Sequence, residues 1–148
     1  MTLSIDEKIL LYHLVVTKNT IMDKIWFGVK ILLALFITYA GVQHFINPNF
    51  FLKVIPPFLM DFGYPIVYIS GVVEIAIGLL LFTPKFQREG ALAFMLLMLF
   101  FLPLHIWDVF AENPFTGNRQ NALIRLVLQF VLIGLPWKLK NLYAKVSP

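Results

Sequence analysis

One carboxylate stands alone in a long apolar stretch of this chain. Glu74 lies within an apolar run from Pro65 to Phe82. Because a helix turns 100° per residue, Gly71, Glu74 and Gly78 share one face. Small residues let a second helix approach closely, so we expect this face to contact protein rather than lipid. A carboxylate at mid-membrane costs about 2.5–3.5 kcal/mol unless it is neutralised or paired. The sequence therefore predicts a partner elsewhere in the chain.

Four further polar side chains fall in the outer half of the predicted spans: His44, His105, Arg125 and Gln129. Glu74 lies deeper than His44, His105 and Arg125, roughly 14 Å below the outer surface. Depth is counted here at about 1.5 Å per residue along each helix. Asp108, at the boundary of the third predicted span, is taken as the first residue of a polar loop over residues 108–121, which leaves Glu74 as the only acid within the apolar spans. Pairing with Arg125 is therefore the cheapest state for both groups. These five residues are the candidate ligand-binding residues of a polar pocket in one half of the membrane.

These residues are also compatible with other kinds of site. A buried Glu74–Arg125 pair that only fixes helix register, with both histidines as hydrogen-bonding partners, is the structural alternative. His44 and His105 could in principle bind a haem iron axially, but two histidines alone do not lead us to expect haem. We expect no metal site. No catalytic serine–histidine–acid set, phosphate-binding glycine loop or zinc-ligand spacing occurs, so the catalytic residues stay unknown.

The composition is that of a membrane protein. The chain has 148 residues, of which 59% are hydrophobic and 14% charged, with a mean hydropathy of +0.82. Soluble domains are nearer half apolar and a quarter charged. The net charge of +4 comes mainly from residues near the predicted span ends, so we read it as topology rather than nucleic-acid binding. The absence of cysteine excludes disulfides and any cysteine nucleophile.

The predicted fold is an all-α, integral membrane four-helix bundle. Apolar length predicts four spans, over residues 25–46, 65–82, 90–109 and 122–137. Residues 1–24 form an N-terminal segment and residues 25–148 the transmembrane domain. Within the first segment, Ile5, Ile9, Tyr12 and Val16 share a face, which suits a short amphipathic helix at the membrane surface. A loosely held tail is the alternative.

The segment between the first two spans, residues 49–63, is rich in aromatic residues and proline. It is too short and too broken by proline to span, so we expect it to lie in the membrane interface and to cover the pocket with the aromatic side chains from Phe50 to Phe62.

Basic residues predict the orientation. With both termini in the cytoplasm, nine basic residues are cytoplasmic: Lys8, Lys18, Lys24, Lys30, Lys85, Arg88, Lys138, Lys140 and Lys145. Three fall on the other side or in the outer half: Lys53, Arg119 and Arg125. This bias, together with four spans, predicts a multi-pass protein of the inner (plasma) membrane with an outward-facing pocket.

Several motifs, taken in order, resemble the DoxX-like family of small bacterial membrane proteins. They are residues 41–48 (GVQHFINP), 55–57 (IPP), 70–78 (SGVVEIAIG), 101–106 (FLPLHI) and 125–129 (RLVLQ). The resemblance covers about residues 25–137. It implies a four-helix membrane bundle in which His44, Glu74, Arg125 and Gln129 occupy the recurrent polar positions. Many relatives have asparagine in place of His105, which argues against a haem common to the family.

The resemblance also suggests two classes of function. The family takes its name from a subunit associated with a thiosulfate:quinone oxidoreductase. That implies a quinone-like or other hydrophobic ligand, and an oxidoreductase as a membrane partner. A distantly similar eukaryotic branch includes a receptor-assembly chaperone, so a non-enzymatic scaffold or assembly factor is the alternative.

Overall fold

The structure is a computed structural model that describes residues 5–115 and 117–143, without the side chains of residues 6–8 and 10–19. All regular structure in these ranges is helical. The helices are α1 (Ile5–Ile46), α2 (Pro48–Leu52), α3 (Gly63–Phe82), α4 (Gln87–Phe110) and α5 (Arg119–Tyr143), with short 3-10 turns at Pro57–Phe62 and Pro84–Phe86.

Four of these helices are long and apolar enough to cross a membrane. The candidate spans are Thr20–Ile46, Pro57–Phe82, Pro84–Phe110 and Arg119–Tyr143, which contain the four predicted ones. Large apolar side chains on their outer faces are exposed, for example Leu32, Phe100 and Val127. Such faces suit lipid rather than water. The chain is therefore a multi-pass membrane protein whose helices contact the bilayer.

The first helix is longer than the sequence analysis predicted. Instead of a separate surface helix, α1 runs unbroken for 42 residues. The reason lies in the sequence, since neither glycine nor proline occurs before Gly28 and the first proline is Pro48. At 1.5 Å per residue the helix is about 63 Å long, roughly twice the hydrocarbon thickness of a bilayer. On the predicted amphipathic face Ile5 and Ile9 are exposed, whereas the side chains of Tyr12 and Val16 lie outside the described residues.

Glycines bring α1 and α3 into close contact. A Cβ atom added to Gly41 would lie 2.7 Å from the Gly71 carbonyl oxygen, and one added to Gly71 would lie 2.9 Å from the Gly41 carbonyl oxygen. Gly78 has no room for a Cβ either, because Thr38 occupies the space. Gly71, Glu74 and Gly78 are all buried. The prediction that this face of the helix contacts protein is therefore confirmed.

The main apolar core lies towards the end of the helices where α3 finishes and α4 begins. It combines side chains from α1, α3, α4 and α5: Leu33, Ala34, Ile37, Ile77, Leu81, Ala91, Phe94, Met98 and Leu139. Phe94 and Leu139 are fully buried. α3 packs against α1 and α4, and α5 packs against α4 and, more lightly, α1. With the helices packed in this way, the polar residues lie together at the opposite end, where α1 finishes and α3 begins.

Lys30 differs from the other basic residues used to predict orientation. It lies within the Thr20–Ile46 span and is only 4% exposed. Its ammonium nitrogen is 4.7 Å from the Phe27 ring centroid and 5.9 Å from that of Tyr143. Stacking over rings suits a cation shielded from water. Lys30 is thus part of the packing between α1 and α5, not a loop residue.

Candidate functional site

A cavity of about 320 Å³ opens among the ends of the helices. α1, α3, α4 and α5 all contribute to its wall, together with α2, the segment that follows α2 and the loop before α5. Nine lining residues are apolar: Phe50, Phe51, Val54, Ile55, Ile66, Val67, Phe101, Leu104 and Phe115. Five are polar or charged: His44, Ser70, Glu74, His105 and Arg125. The cavity is thus mainly apolar with a few polar groups, rather than the polar pocket that the sequence predicted.

His44 lies beside Glu74 in the cavity wall. Its Nδ1 lies 3.4 Å from Glu74 Oε2, and both side chains are buried. The same Nδ1 lies 2.8 Å from the Ala40 carbonyl oxygen. Since that oxygen can only accept, Nδ1 carries a proton and donates it there. Glu74 Oε2 is left without a hydrogen-bond partner although it is buried.

Arg125 pairs with Asp108 and not with Glu74, so the predicted ion pair is wrong. Arg125 Nη1 donates to Asp108 Oδ2 at 2.9 Å. The sequence analysis placed Asp108 at the start of a polar loop, but α4 continues to Phe110 and buries it. Asp108 and Arg125 each lie within about two turns of the helix ends that meet there, whereas Glu74 is three turns into α3. An arginine near the helix end therefore meets the nearer acid.

Asp108 also positions a residue that the sequence analysis missed. The backbone N–H of Phe115 donates to Asp108 Oδ1 at 2.6 Å. Arg125 lies over the Phe115 ring, 4.8 Å from its centroid, and that ring meets Phe50 edge-on at 5.2 Å. Phe50, Phe115 and Arg125 line both the cavity and an adjoining outer crevice. The two rings therefore separate the cavity from this crevice. The His105–Asp108 spacing of three residues was the available signal for the cluster.

The aromatic segment covers the cavity only with its first half. The Phe51 ring stacks on His44 with the centroids 3.6 Å apart, and Val54 and Ile55 complete this wall. By contrast, Phe58 is 82% exposed and Phe62 64% exposed. They lie in the Pro57–Phe82 candidate span and point away from the protein. The sequence analysis expected Phe58 and Phe62 to cover the site, and this expectation is wrong.

The two remaining candidates take different positions. His105 lines the cavity, and its Nδ1 is buried without a hydrogen-bond partner. Gln129 does not line the cavity. It is buried, and its Nε2 donates to the Met98 carbonyl oxygen, which links α5 to α4. Of the five predicted ligand-binding residues, His44, Glu74, His105 and Arg125 thus share one cavity, whereas Gln129 has a structural contact of its own.

The chemistry open to this arrangement is recognition through hydrogen bonds in apolar surroundings. Among the described residues, no group of three or more histidine, aspartate or glutamate side chains could hold a metal ion. The charge of Arg125 is compensated by Asp108. Glu74 and His105 are the cavity residues whose buried polar atoms have no partner, and such atoms favour a ligand that supplies one.

Comparison with known proteins gives a family but no activity. A family model described as a domain of unknown function (DUF8561) matches residues 33–140. That range includes every residue of the cavity wall. No curated protein and no solved structure matches the chain.

Proposed function

The chain belongs to the DUF8561 family, and we propose that it binds one hydrophobic molecule with a hydrogen-bonding head group in the cavity. The observation that carries this proposal is the pair of unpartnered buried atoms, Glu74 Oε2 and His105 Nδ1, in the wall of a mainly apolar cavity. Each would cost about 1–3 kcal/mol if it stayed unsatisfied. A bound head group removes that cost, while the aromatic wall receives the apolar body.

The volume of the cavity limits the size of the ligand that it can hold. Ligand pockets usually measure about 300–1,000 Å³, so a cavity of about 320 Å³ suits a single ring with part of its tail. A porphyrin has four pyrrole rings and does not fit this volume, although His44 and His105 both line the wall. A quinone-like ring fits in size, and when bound it would supply two-electron, two-proton redox chemistry. Haem is therefore not part of the proposal.

The DoxX resemblance supports the same class of ligand. Its five motifs all fall within the family match at residues 33–140, and three of its four recurrent polar positions line the cavity: His44, Glu74 and Arg125. On this basis we place the chain near the DoxX-like proteins, as a four-helix bundle of the inner membrane. The excess of basic residues at one end of the predicted spans supports the part of the proposal that puts both termini in the cytoplasm and the cavity in the outer half of the membrane. A membrane oxidoreductase is then the partner we expect.

A second function is favoured by the contacts of Arg125 and Gln129. Both bind groups of the protein itself, as expected of a scaffold or assembly factor whose polar residues hold the helices together. In that case the Asp108–Arg125 pair, rather than a Glu74–Arg125 pair, is the structural element. Glu74 and His105 are what this alternative leaves unexplained.

The test is to purify the full chain in mild detergent and to analyse co-purifying small molecules by mass spectrometry and absorbance. Two leucine variants make a matched pair. Leu104 is part of the cavity wall, so Leu104→Trp should fill the cavity with an indole ring. Leu128→Trp adds the same ring on an exposed face. We expect a hydrophobic ligand with wild type and Leu128→Trp but not with Leu104→Trp. Equal ligand content in all three proteins, or none in any, would contradict the proposal and favour the scaffold.

A further inference from the structure

We infer that the cavity selects an uncharged ligand with a hydroxyl group, such as a phenol or a reduced quinol, over ligands that only accept hydrogen bonds. The inference rests on the proposed function and names the ligand class of that site. It follows from which donors and acceptors in the wall are already used and which are free.

The cationic group in the wall does not call for an anion. Arg125 donates to Asp108 Oδ2 at 2.9 Å, and the Asp108 side chain is 3% exposed. The second oxygen of Asp108 accepts from the Phe115 backbone. A carboxylate ligand would have to displace this buried pair and would also lie near Glu74. Charge in the wall is therefore balanced without an anionic head group.

Glu74 needs a donor. A charge-assisted bond from a ring nitrogen to a carboxylate is usually about 2.7–2.9 Å long, and the His44 Nδ1–Glu74 Oε2 distance is 3.4 Å. The proton on Nδ1 is used by Ala40 at 2.8 Å. An ionised carboxylate only accepts, and a protonated one keeps some acceptor capacity besides its single donor. A ligand hydroxyl can donate to the ionised carboxylate. With the protonated carboxyl group it can either donate or accept a hydrogen bond.

His105 leads to the same group. Its Nδ1 is buried without a partner, and in a neutral imidazole this nitrogen is a donor in one tautomer and an acceptor in the other. A hydroxyl satisfies either tautomer. An ether or a ketone has no donor, so it satisfies only one tautomer of His105 and only the protonated form of Glu74. A hydroxyl, which both donates and accepts, therefore satisfies either state of each residue taken singly. It satisfies both residues together except where Glu74 is ionised and His105 Nδ1 also accepts, because it has a single proton.

The test uses three probes of matched shape on the full chain in lipid nanodiscs: 4-octylphenol, 4-octylanisole and 4-octylbenzoic acid. Binding is followed by the rise in melting temperature, read from tryptophan fluorescence, since a ligand of the native state stabilises it by mass action. We expect the phenol to bind about tenfold or more tightly than the anisole, the effect of one hydrogen bond to a charged or buried partner. The benzoate should bind more weakly than the phenol.

Variants separate the inference from the pocket itself. Glu74→Leu should reduce the preference for phenol over anisole. Glu74→Gln keeps an acceptor oxygen and should retain part of this preference, and it serves as the test variant if Glu74→Leu does not fold. Glu89→Gln changes an exposed acid and should leave the preference intact. Equal binding of phenol and anisole to wild type, or tighter binding of benzoate, would overturn the inference while the pocket stands. No binding of any probe would overturn the proposed function as well.

Discussion

Gly41→Ala should separate α1 from α3 and destabilise the protein. The added Cβ would lie 2.7 Å from the Gly71 carbonyl oxygen, 2.8 Å from Ile75 Cγ1 and 2.9 Å from the Ile75 backbone nitrogen. Ordinary van der Waals contact begins at 3.4 Å, so the backbone must move by about 0.7 Å, the difference between 3.4 and 2.7 Å. Because two of the three atoms are backbone, no rotamer change can relieve the clash.

The expected cost is about 1–3 kcal/mol, the usual range for overpacking a well-packed interface. Gly28→Ala is the matched control in the same helix, because nothing lies within 4 Å of the Cβ that it adds. Alanine favours a helix over glycine by up to about 1 kcal/mol, so this variant should be as stable as wild type or slightly more so. Because both variants gain the same helix propensity, that contribution cancels, and the two substitutions should differ by the overpacking cost of about 1–3 kcal/mol.

The assay is unfolding in detergent followed by tryptophan fluorescence, with wild type and the two variants compared at one detergent concentration. Gly41→Ala should melt several degrees below wild type, and Gly28→Ala at or above it. Gly41→Ala should also weaken ligand binding. A shift of α1 away from α3 would separate His44, one turn beyond Gly41 on α1, from Glu74 on α3. A Gly41→Ala protein as stable as Gly28→Ala would refute the close contact between the two helices.

The remaining predictions concern the ion pair and the aromatic wall. In a double-mutant cycle, Asp108→Asn and Arg125→Leu should show a coupling energy of about 1–3 kcal/mol, whereas Glu74→Gln and Arg125→Leu should be additive to about 0.5 kcal/mol, since they share no partner. The opposite ranking in unfolding experiments would restore the Glu74–Arg125 pair. In this cysteine-free chain, a single Ser70→Cys substitution in the cavity wall should react severalfold faster with a water-soluble thiol reagent once Phe115→Ala removes one ring of the wall. An unchanged rate would show that Phe115 does not restrict access.

Controls for these experiments come from exposed positions. Val127→Ala and Leu128→Ala shorten lipid-facing side chains of α5 and should alter neither the coupling energies nor the labelling rate. Any change they cause would point to general loosening of the helix rather than to the specific contacts.

The membrane helices and the face of Glu74 could be predicted because both depend on local sequence. Apolar runs of about 20 residues read as spans, and the spacing of Gly71, Glu74 and Gly78 is helical. The buried, closely packed face of α3 follows from these two features. The position of Glu74 beside His44 could not be read from them, because it depends on the register between α1 and α3.

The partner of Arg125 was missed because Asp108, at the boundary of the predicted third span, was taken as the first residue of the polar loop that follows. With α4 ending near residue 109, Asp108 looked like a loop residue and Glu74 became the only acid left to pair. In the structure this carboxylate is buried and is bound by Arg125 of α5 and by the Phe115 backbone N–H from the chain beyond α4. Such a loop contact has no periodic signal, and neither does the Phe51 ring stacked on His44.

The central claim, that the cavity is a ligand site, is tested most directly by photolabelling. An alkylphenol that carries a diazirine in its tail is irradiated with the full chain in nanodiscs, and the labelled peptides are mapped by mass spectrometry. We expect saturable labelling, competed by 4-octylphenol, within residues 50–55, 66–74 or 101–105, and its loss in Leu104→Trp but not in Leu128→Trp. Labelling spread over the lipid-facing surfaces of α1 and α5, without competition, would contradict the claim.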